Sequence, residues 1–318
     1  MVGRSRAFPF CSTNPAGAKI IRCVRTCVIF NPAASGEKAR HFRRQLDIIG
    51  SQCALKATTA PNDARRLAAE AVADGFELVV AAGGDGTVNE VLNGLGDVPD
   101  GFARARLGVL PLGTINVFAR ELKIPLRPER AWETLQRRRE TRVDLARVAF
   151  SANDVPQKKY FVQLAGAGMD ARAIQLADWS LKKRTGPLAY VLAGLQALRE
   201  PQPPIAVRAD GQTLTGELVL VGNGRLYGGP FGIFPQGDLR NGTLEICVFP
   251  HVTWLTLLRC APVLLLRRKL PESLVRRLRA GTFELTGATT TAFELDGEWI
   301  GHLPAVFSVE RERLRVLC

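Results

Sequence analysis

Residues 83–90, Gly-Gly-Asp-Gly-Thr-Val-Asn-Glu, put glycines, a carboxylate and a hydroxyl into one short run. The apolar run Glu77-Leu78-Val79-Val80-Ala81-Ala82 precedes it and reads as a buried parallel strand; Val88 to Leu95 follow with apolar residues at helical spacing. A glycine-rich turn between a strand and a helix lets the backbone approach an anion closely. The helix adds unpaired N–H groups and the positive end of its dipole, which is the chemistry of phosphate binding. Asp85 would repel a bare phosphate, so it calls either for Mg²⁺ between the two charges or for a role in fixing the loop. The plainer alternative is a glycine-rich turn in an ordinary α/β domain.

The elements around this run alternate strand and helix from Arg25 to about Val143. Thr26 to Phe30 reads as a strand, Ser35 can cap a helix carrying Glu37 to Ile49, and Ala54 to Thr58 is a second strand. Asn62 or Asp63 can cap the helix that follows, the third strand ends in Gly83-Gly84-Asp85-Gly86, and Leu107 to Leu110 is a fourth strand. Such alternation predicts a doubly wound, mostly parallel sheet, with ligands outside the carboxyl ends of its strands. Asn31, Gly84, Asp85 and Thr114 all fall just after strands. After Arg142 the pattern becomes short strand candidates, with Asp210-Gly211 and Asn241-Gly242 as type I′ hairpin signals. It predicts an antiparallel β-sandwich-like domain over 144–318 with helical insertions at about 171–200 and 251–279. The last strand, Leu314 to Leu317, can return to the first domain, residues 25–143. Residues 1–24 carry no acidic side chain and lack a continuous apolar stretch, so they read as a flexible basic extension.

With those residues in view, a resemblance can be stated. Gly83 to Gly94, GGDGTVNEVLNG, resembles the signature of the diacylglycerol kinase catalytic domain, a family related to sphingosine and ceramide kinases. Asn31 to Gly36 resembles its first nucleotide-binding loop, Pro111 to Ala119 its PLGTxNxFA segment, and Leu295-Asp296-Gly297-Glu298 its late DGE motif. NAD kinases and phosphofructokinases share a GGDG loop, but not this set of four segments in order. The resemblance implies an ATP- and Mg²⁺-dependent lipid kinase with its active site in the cleft between two domains. Its acceptor would be diacylglycerol or a related glycerolipid, with sphingosine or ceramide next. An NAD kinase-like enzyme and a non-catalytic lipid-binding relative are the rival readings.

The resemblance also implies roles. Asn31, Ser35, Thr58, Gly84, Asp85, Gly86, Thr87, Val88, Asn89, Glu90 and Thr114 would hold the nucleotide. Thr114 can equally cap the helix from Asn116. Glu298 maps to the family's proton acceptor, with Asp296 placing it or coordinating Mg²⁺ through water, and Asp85 as the other metal-facing carboxylate. From turn chemistry alone, Asp296-Gly297 is a hairpin turn. Gly166 to Ala171 resembles a G-x-G-x-D segment lining the cleft, or is a turn and helix start. Two departures stand out. Asn241 replaces an Asp expected at a second-domain Mg²⁺ site, and Ile115-Asn116-Val117 stands where many members have Gly-Asn-Asp.

Composition bounds the rest. The chain has 318 residues, 46% hydrophobic and 23% charged, enough for two domains with sizeable cores. No apolar run reaches the roughly 18 residues of a membrane span; Arg259 and Pro262 interrupt the best one. The net charge of +13 fits an anionic membrane surface or a solvated Arg-rich exterior, while no nucleic-acid motif is present. Val252 to Arg279 mixes apolar blocks with Arg267-Arg268-Lys269 and Arg276-Arg277, as either a core helix pair or an interfacial element docking on anionic lipid. A lipid substrate implies a cytoplasmic protein peripherally associated with the membrane; a homodimer is compatible with it. The seven cysteines, without zinc-type pairs, read as reduced and mostly buried.

Overall fold

The computed structural model describes residues 24–32, 37–44, 46–176, 196, 198 and 202–318. Ser35, the extension before Val24 and most of the expected insertion at 171–200 lie outside them. The chain divides into two compact units, residues 1–143 with 312–318, and residues 144–311.

The first unit alternates β1 (Thr26–Phe30), α1 (Glu37–Arg44), α2 (Leu46–Gly50), β2 (Ala54–Ala57), α3 (Asp63–Ala73), β3 (Leu78–Gly83), α4 (Asp85–Gly96), α5 (Gly101–Arg104), β4 (Arg106–Pro111), α6 (Val117–Glu121) and α7 (Pro128–Gln136). Its strands pair in parallel in the order β2-β1-β3-β4, and the chain's C-terminal residues add a parallel edge through Val316 opposite Leu107. Val79, Val80, Ala81 and Ala82 are fully buried because helices cover both faces of a parallel sheet. That is why β3 reads as an unbroken apolar run. Gly94 of α4 lets the helix press on α3; a Cβ there would lie 2.8 Å from the Ala68 Cβ.

The second unit comprises most of β5 (Glu140–Ala152), β6 (Val155–Phe161), β7 (Leu164–Gly168), α8 (Met169–Leu176), β8 (Ile205–Ala209), β9 (Gln212–Gly216), β10 (Leu218–Gly222), β11 (Leu244–Phe249), α9 (Trp254–Arg267), β12 (Arg276–Ala280), β13 (Thr282–Thr286), β14 (Ala292–Leu295), β15 (Glu298–His302) and the start of β16 (Ala305–Leu317). One antiparallel sheet runs β12-β11-β10-β7-β14-β15; β16, β13, β8 and β9 pair in the other, with β5 and β6 beside them. Val219 and Val221 of β10 join Phe161, Phe283, Phe293 and Phe307 in a core between the sheets. The alternate residues Leu218 and Leu220 pack with Met169, Val252 and Cys260 under the helices. The two-residue period of a strand produces this division.

Three local expectations change. Asp210-Gly211 does turn β8 into β9, both residues at positive φ (46° and 74°). Asn241-Gly242 does not: only Gly242 has positive φ (72°), and Asn241 Oδ1 accepts from Thr243 N–H and Oγ1–H in an irregular loop before β11. A hairpin at Asn153-Asp154 (φ 49° and 61°) joins β5 to β6 instead, where the sequence offered no glycine. The expected helical insertion at 251–279 is α9 to Arg267 and one 3₁₀ turn at Glu272–Leu274, and Arg276–Ala280 is an edge strand. Its Leu278 packs inward while Arg277 bonds Glu245 and Glu272. Charge on an edge strand discourages further strand pairing. Gly166 and Ala167 lie within β7 rather than in a turn.

Candidate active site

β3 passes into α4 through Gly84, an extended N-cap with φ −90° and ψ −169°. A Cβ on Gly83 would overlap the Thr87 side chain folded back from the first turn of the helix. The loop after β4 comes alongside: Leu112 N–H donates to Gly83 O at 2.9 Å, and a Cβ on Gly113 would lie only 2.6 Å from Gly84 Cα. Two glycine-bearing loops therefore meet backbone to backbone. Asn116, at φ 54°, locks the second loop, taking Gly113 N–H on Oδ1 at 3.1 Å and donating from Nδ2 to Gly113 O at 2.5 Å. Asn tolerates this left-handed conformation better than most residues. It also occupies the N-cap of α6, so Thr114 does not cap that helix; Thr114 stands exposed beside Gly113.

The Asp85 carboxylate faces the N-terminus of α6. Phe118 N–H reaches Oδ1 at 3.4 Å, and the neighbouring backbone N–H groups of Asn116 and Val117 favour the ionised carboxylate. Burial pushes this carboxyl up, and the N–H bonds oppose the shift in smaller measure. These bonds tie the Gly83 loop to the Gly113 loop, which is the loop-fixing alternative for Asp85.

Of the remaining residues in the run, Val88 and Asn89 are buried, with Asn93 Nδ2 donating to Asn89 Oδ1 at 3.0 Å. Glu90 Oε2 accepts the Ala64 N–H at 3.0 Å, supplying α3 with the N-terminal acceptor that neither Asn62 nor Asp63 provides as a cap. Asp63 turns back instead, accepting from Thr59 Oγ1–H at 2.6 Å, Thr59 N–H at 2.8 Å and Ala60 N–H at 3.2 Å, bonds that hold its carboxyl well below the usual range. Gly84, Asp85, Gly86, Thr87 and Glu90 are the half-buried part of the run. Asn31 follows β1 and Thr58 follows β2, with Thr58 N–H on Phe30 O at 2.9 Å. Because the strands are parallel, Asn31, Thr58, Gly84 and Thr114 share one sheet edge. Its free α4 amides and side-chain-free glycines fit a phosphate.

In the second unit, Asp296 (φ 49°) and Gly297 (φ 88°) form the two-residue turn from β14 to β15. Asp296 Oδ2 accepts Val162 N–H, and Oδ1 accepts Gln163 and Leu164 N–H, each at 3.0 Å. Asp296 N–H donates to Leu164 O at 2.9 Å. These bonds explain why the apolar run from Tyr160 breaks into β6 and β7 at Val162-Gln163. Glu298 opens β15, half-buried, one residue past the turn.

Asp85 and Asp296, the carboxylates assigned to Mg²⁺, thus serve backbone N–H groups. Among the described residues no cluster of three or more His, Cys, Asp or Glu side chains is arranged to hold a metal. These residues do not fit a direct ligand set for Mg²⁺. Asn116 and Gly113 build the second loop, and Asp63, expected as a helix cap, instead braces the Thr59-Ala60 turn. Among the described residues no helix is long and apolar enough to cross a membrane. Cys27, Cys53, Cys247 and Cys260 are buried and free, and burial pushes the Cys27, Cys53 and Cys247 thiols up to about 12.

The comparisons agree with this arrangement. The diacylglycerol kinase catalytic domain family matches residues 25–148, and the YegS C-terminal NAD kinase beta sandwich-like domain matches residues 163–318. The chain is 30% identical over 291 residues to a diacylglycerol kinase of Bacillus subtilis (strain 168), covering 89% of this chain and 92% of that protein. It is 32% identical over 292 residues to a protein of Pseudomonas aeruginosa (strain UCBPP-PA14) named as a probable YegS-like lipid kinase, covering 91% and 92%. A crystal structure of a diacylglycerol kinase from Bacillus anthracis str. Sterne shares the fold at TM-score 0.71 and 23% identity, covering 92% of this chain and 96% of that one. Yeast NADH kinase shares it more distantly, at TM-score 0.52 and 10% identity, covering 98% and 89%. The glycine loops, the DGE turn and both halves of the chain thus lead to one conclusion: this chain belongs to the diacylglycerol kinase family and is an ATP-dependent lipid kinase.

Proposed function

We propose that the enzyme transfers the γ-phosphoryl group of Mg²⁺-bound ATP to a hydroxyl of a membrane glycerolipid, diacylglycerol first among them. The observation that carries this reading is the backbone contact of Gly84 with Gly113 at the N-terminus of α4. Phosphoryl transfer is mostly positioning and charge stabilisation. In this reading Asn31, Ser35, Thr58, the Gly84–Glu90 run and Thr114 form the nucleotide edge. The α4 amides and the two glycine loops hold phosphate oxygens, while Asp85, Asn89 and Glu90 hold the loops and helices that present them. Mg²⁺ arriving with the nucleotide would spread phosphate charge. Glu298 takes the proton of the acceptor hydroxyl as its oxygen attacks the γ-phosphorus, and the bond from that phosphorus to the ADP oxygen breaks. Asp296 places Glu298 through the turn.

The acceptor resides in a bilayer, and α9 supports a peripheral mode of access. Trp254, Leu255, Leu258 and Leu266 are exposed, Leu266 at 84%. The residues from Trp254 to Pro271 include no acidic side chain, and Arg259, Arg267, Arg268 and Lys269 are exposed among them. An outward apolar stripe with basic neighbours suits an anionic membrane surface. Incubation of the purified protein with labelled ATP and a panel of diacylglycerol, monoacylglycerol, sphingosine and ceramide tests the reading. The expected result is labelled phosphatidic acid; label on a sphingoid lipid alone would overturn the acceptor class, and no lipid label would overturn the proposal.

A further inference from the structure

Beneath the DGE turn lies a carboxyl pair with no place in the mechanism above. Asp170 opens α8 and Glu294 lies on β14. Glu294 is fully buried, and Asp170 Oδ2 is sealed from solvent although that residue as a whole is partly exposed. Each carboxyl has one oxygen tied to a donor that fixes its orientation. Tyr227 O–H donates to Asp170 Oδ1 at 2.5 Å, and Gly297 N–H donates to Glu294 Oε2 at 2.7 Å.

The other two oxygens, Asp170 Oδ2 and Glu294 Oε1, have no donor when both groups are carboxylates. They converge over Gly166 of β7: a Cβ there would overlap Asp170 Oδ2 and lie 3.0 Å from Glu294 Oε1. Gly166 is therefore the strand position whose missing side chain makes room for the pair. Acceptor facing acceptor in a buried space is costly unless a proton lies between them. Burial raises both carboxyls, Glu294 well above its ordinary value with the Asp170 charge adding to the shift. The neighbouring Asp296 charge pushes the same way, whereas Tyr227 favours the ionised form of Asp170.

We propose that Asp170 and Glu294 hold one proton between Oδ2 and Oε1, and that this pair fixes the Asp296-Gly297 turn through the Gly297 N–H. Asp170 and Glu294 are then positioning residues for Glu298, a consequence that rests on the role given to Glu298 above. The proton itself rests only on the geometry of the pair.

Amide replacements test it, because an amide N–H can stand where the shared proton stands. In Glu294→Gln the amide oxygen keeps the Gly297 N–H and the amide nitrogen donates to Asp170. In Asp170→Asn the oxygen keeps Tyr227 and the nitrogen donates to Glu294. In the double variant two NH₂ groups face each other, so the losses should exceed their sum, as they do for interacting sites. The full chain of each variant is unfolded by denaturant, and its carboxylic-acid stretching band is recorded by infrared spectroscopy. The expected result is a protonated-carboxyl band at neutral pH that both single variants lose, near-native single variants, and a double variant destabilised beyond additivity. Additive losses, or a band missing from the wild type or kept in both single variants, would overturn the shared proton. In lipid kinase assays the double variant should lose kcat by roughly tenfold or more while ATP KM stays within about twofold. Unchanged kcat in a folded double variant would overturn the positioning role alone. If wild-type protein phosphorylates no lipid, the function proposal fails and the unfolding and infrared results still stand.

Discussion

Gly113 meets Gly84 with no room for a side chain: a Cβ on Gly113 would stand 2.6 Å from Gly84 Cα. That neighbour is main chain and cannot swing aside, so Gly113→Ala must separate the two loops at the phosphate edge. The expected outcome is ATP affinity weakened by about tenfold or more, equivalent to about 1.4 kcal/mol. Isothermal titration with ATP measures it; native affinity in this variant would remove the contact from the nucleotide site.

Asp85 faces the N–H groups that start α6, bonding that of Phe118, and an amide there cannot present two acceptor oxygens to them. Asp85→Asn should therefore cost about 1–3 kcal/mol of stability, the range for a buried polar group left unsatisfied. It should also raise ATP KM, because the Gly113 loop loses its tie. A variant of native stability and native KM would show that neither loop depends on this carboxylate.

Asp296 and Glu298 should separate in their effects. In Asp296→Asn the amide oxygen can keep the Gln163 and Leu164 N–H groups, but the NH₂ then faces Val162 N–H, and the variant is expected to destabilise the second unit. Glu298→Gln leaves the turn intact and is expected to lower kcat by roughly 10²–10⁴ with ATP KM unchanged. Denaturant unfolding and steady-state kinetics on both variants decide the matter. Near-native turnover in Glu298→Gln would remove it from the proton-transfer step.

Vesicle sedimentation tests α9. Binding should be tighter to anionic than to zwitterionic vesicles, by about 1 kcal/mol per basic residue near the surface. The preference should fade with salt, since the Debye length is only about 10 Å at 0.1 M. Leu258→Glu with Leu266→Glu should abolish vesicle binding without affecting ATP binding. Equal binding to both vesicle types at low salt would contradict docking by charge.

Glu294 makes a pH prediction whose sign can be worked out. Burial first, and the neighbouring Asp170 second, raise its carboxyl well above 4.5. The folded chain then holds the proton more tightly than the unfolded chain. Its contribution is fully present below the unfolded value of 4.5 and is lost as pH rises through the folded value. The denaturation midpoint of the wild type should fall more steeply than that of Glu294→Gln between pH 4.5 and neutral. Parallel curves would count against the raised carboxyl.

Local pattern determined much of this protein. The alternation of apolar runs and caps specified the parallel unit, because a strand covered on both faces must be apolar throughout, as Val79 to Ala82 are. The glycine run marked the turn proposed to hold phosphate, since the strand-to-helix turn and its glycines are contiguous in the chain. Asp210-Gly211 and Asp296-Gly297 announced their hairpins because type I′ geometry favours those residues at positive φ. Partners far along the chain were another matter. Asp85 meeting the start of α6, Glu90 meeting Ala64, and Asp296 meeting Val162 to Leu164 are bonds to backbone N–H groups, and any residue but proline carries one. The strand at Arg276–Ala280 was hidden for a similar reason: its charges are accommodated by Glu245 and Glu272, which only the assembled sheet brings alongside. Asp170 and Glu294 show the same limit, because a carboxyl pair becomes a pair only when a helix start packs over a strand, and only the tertiary structure removes the water that would let both ionise.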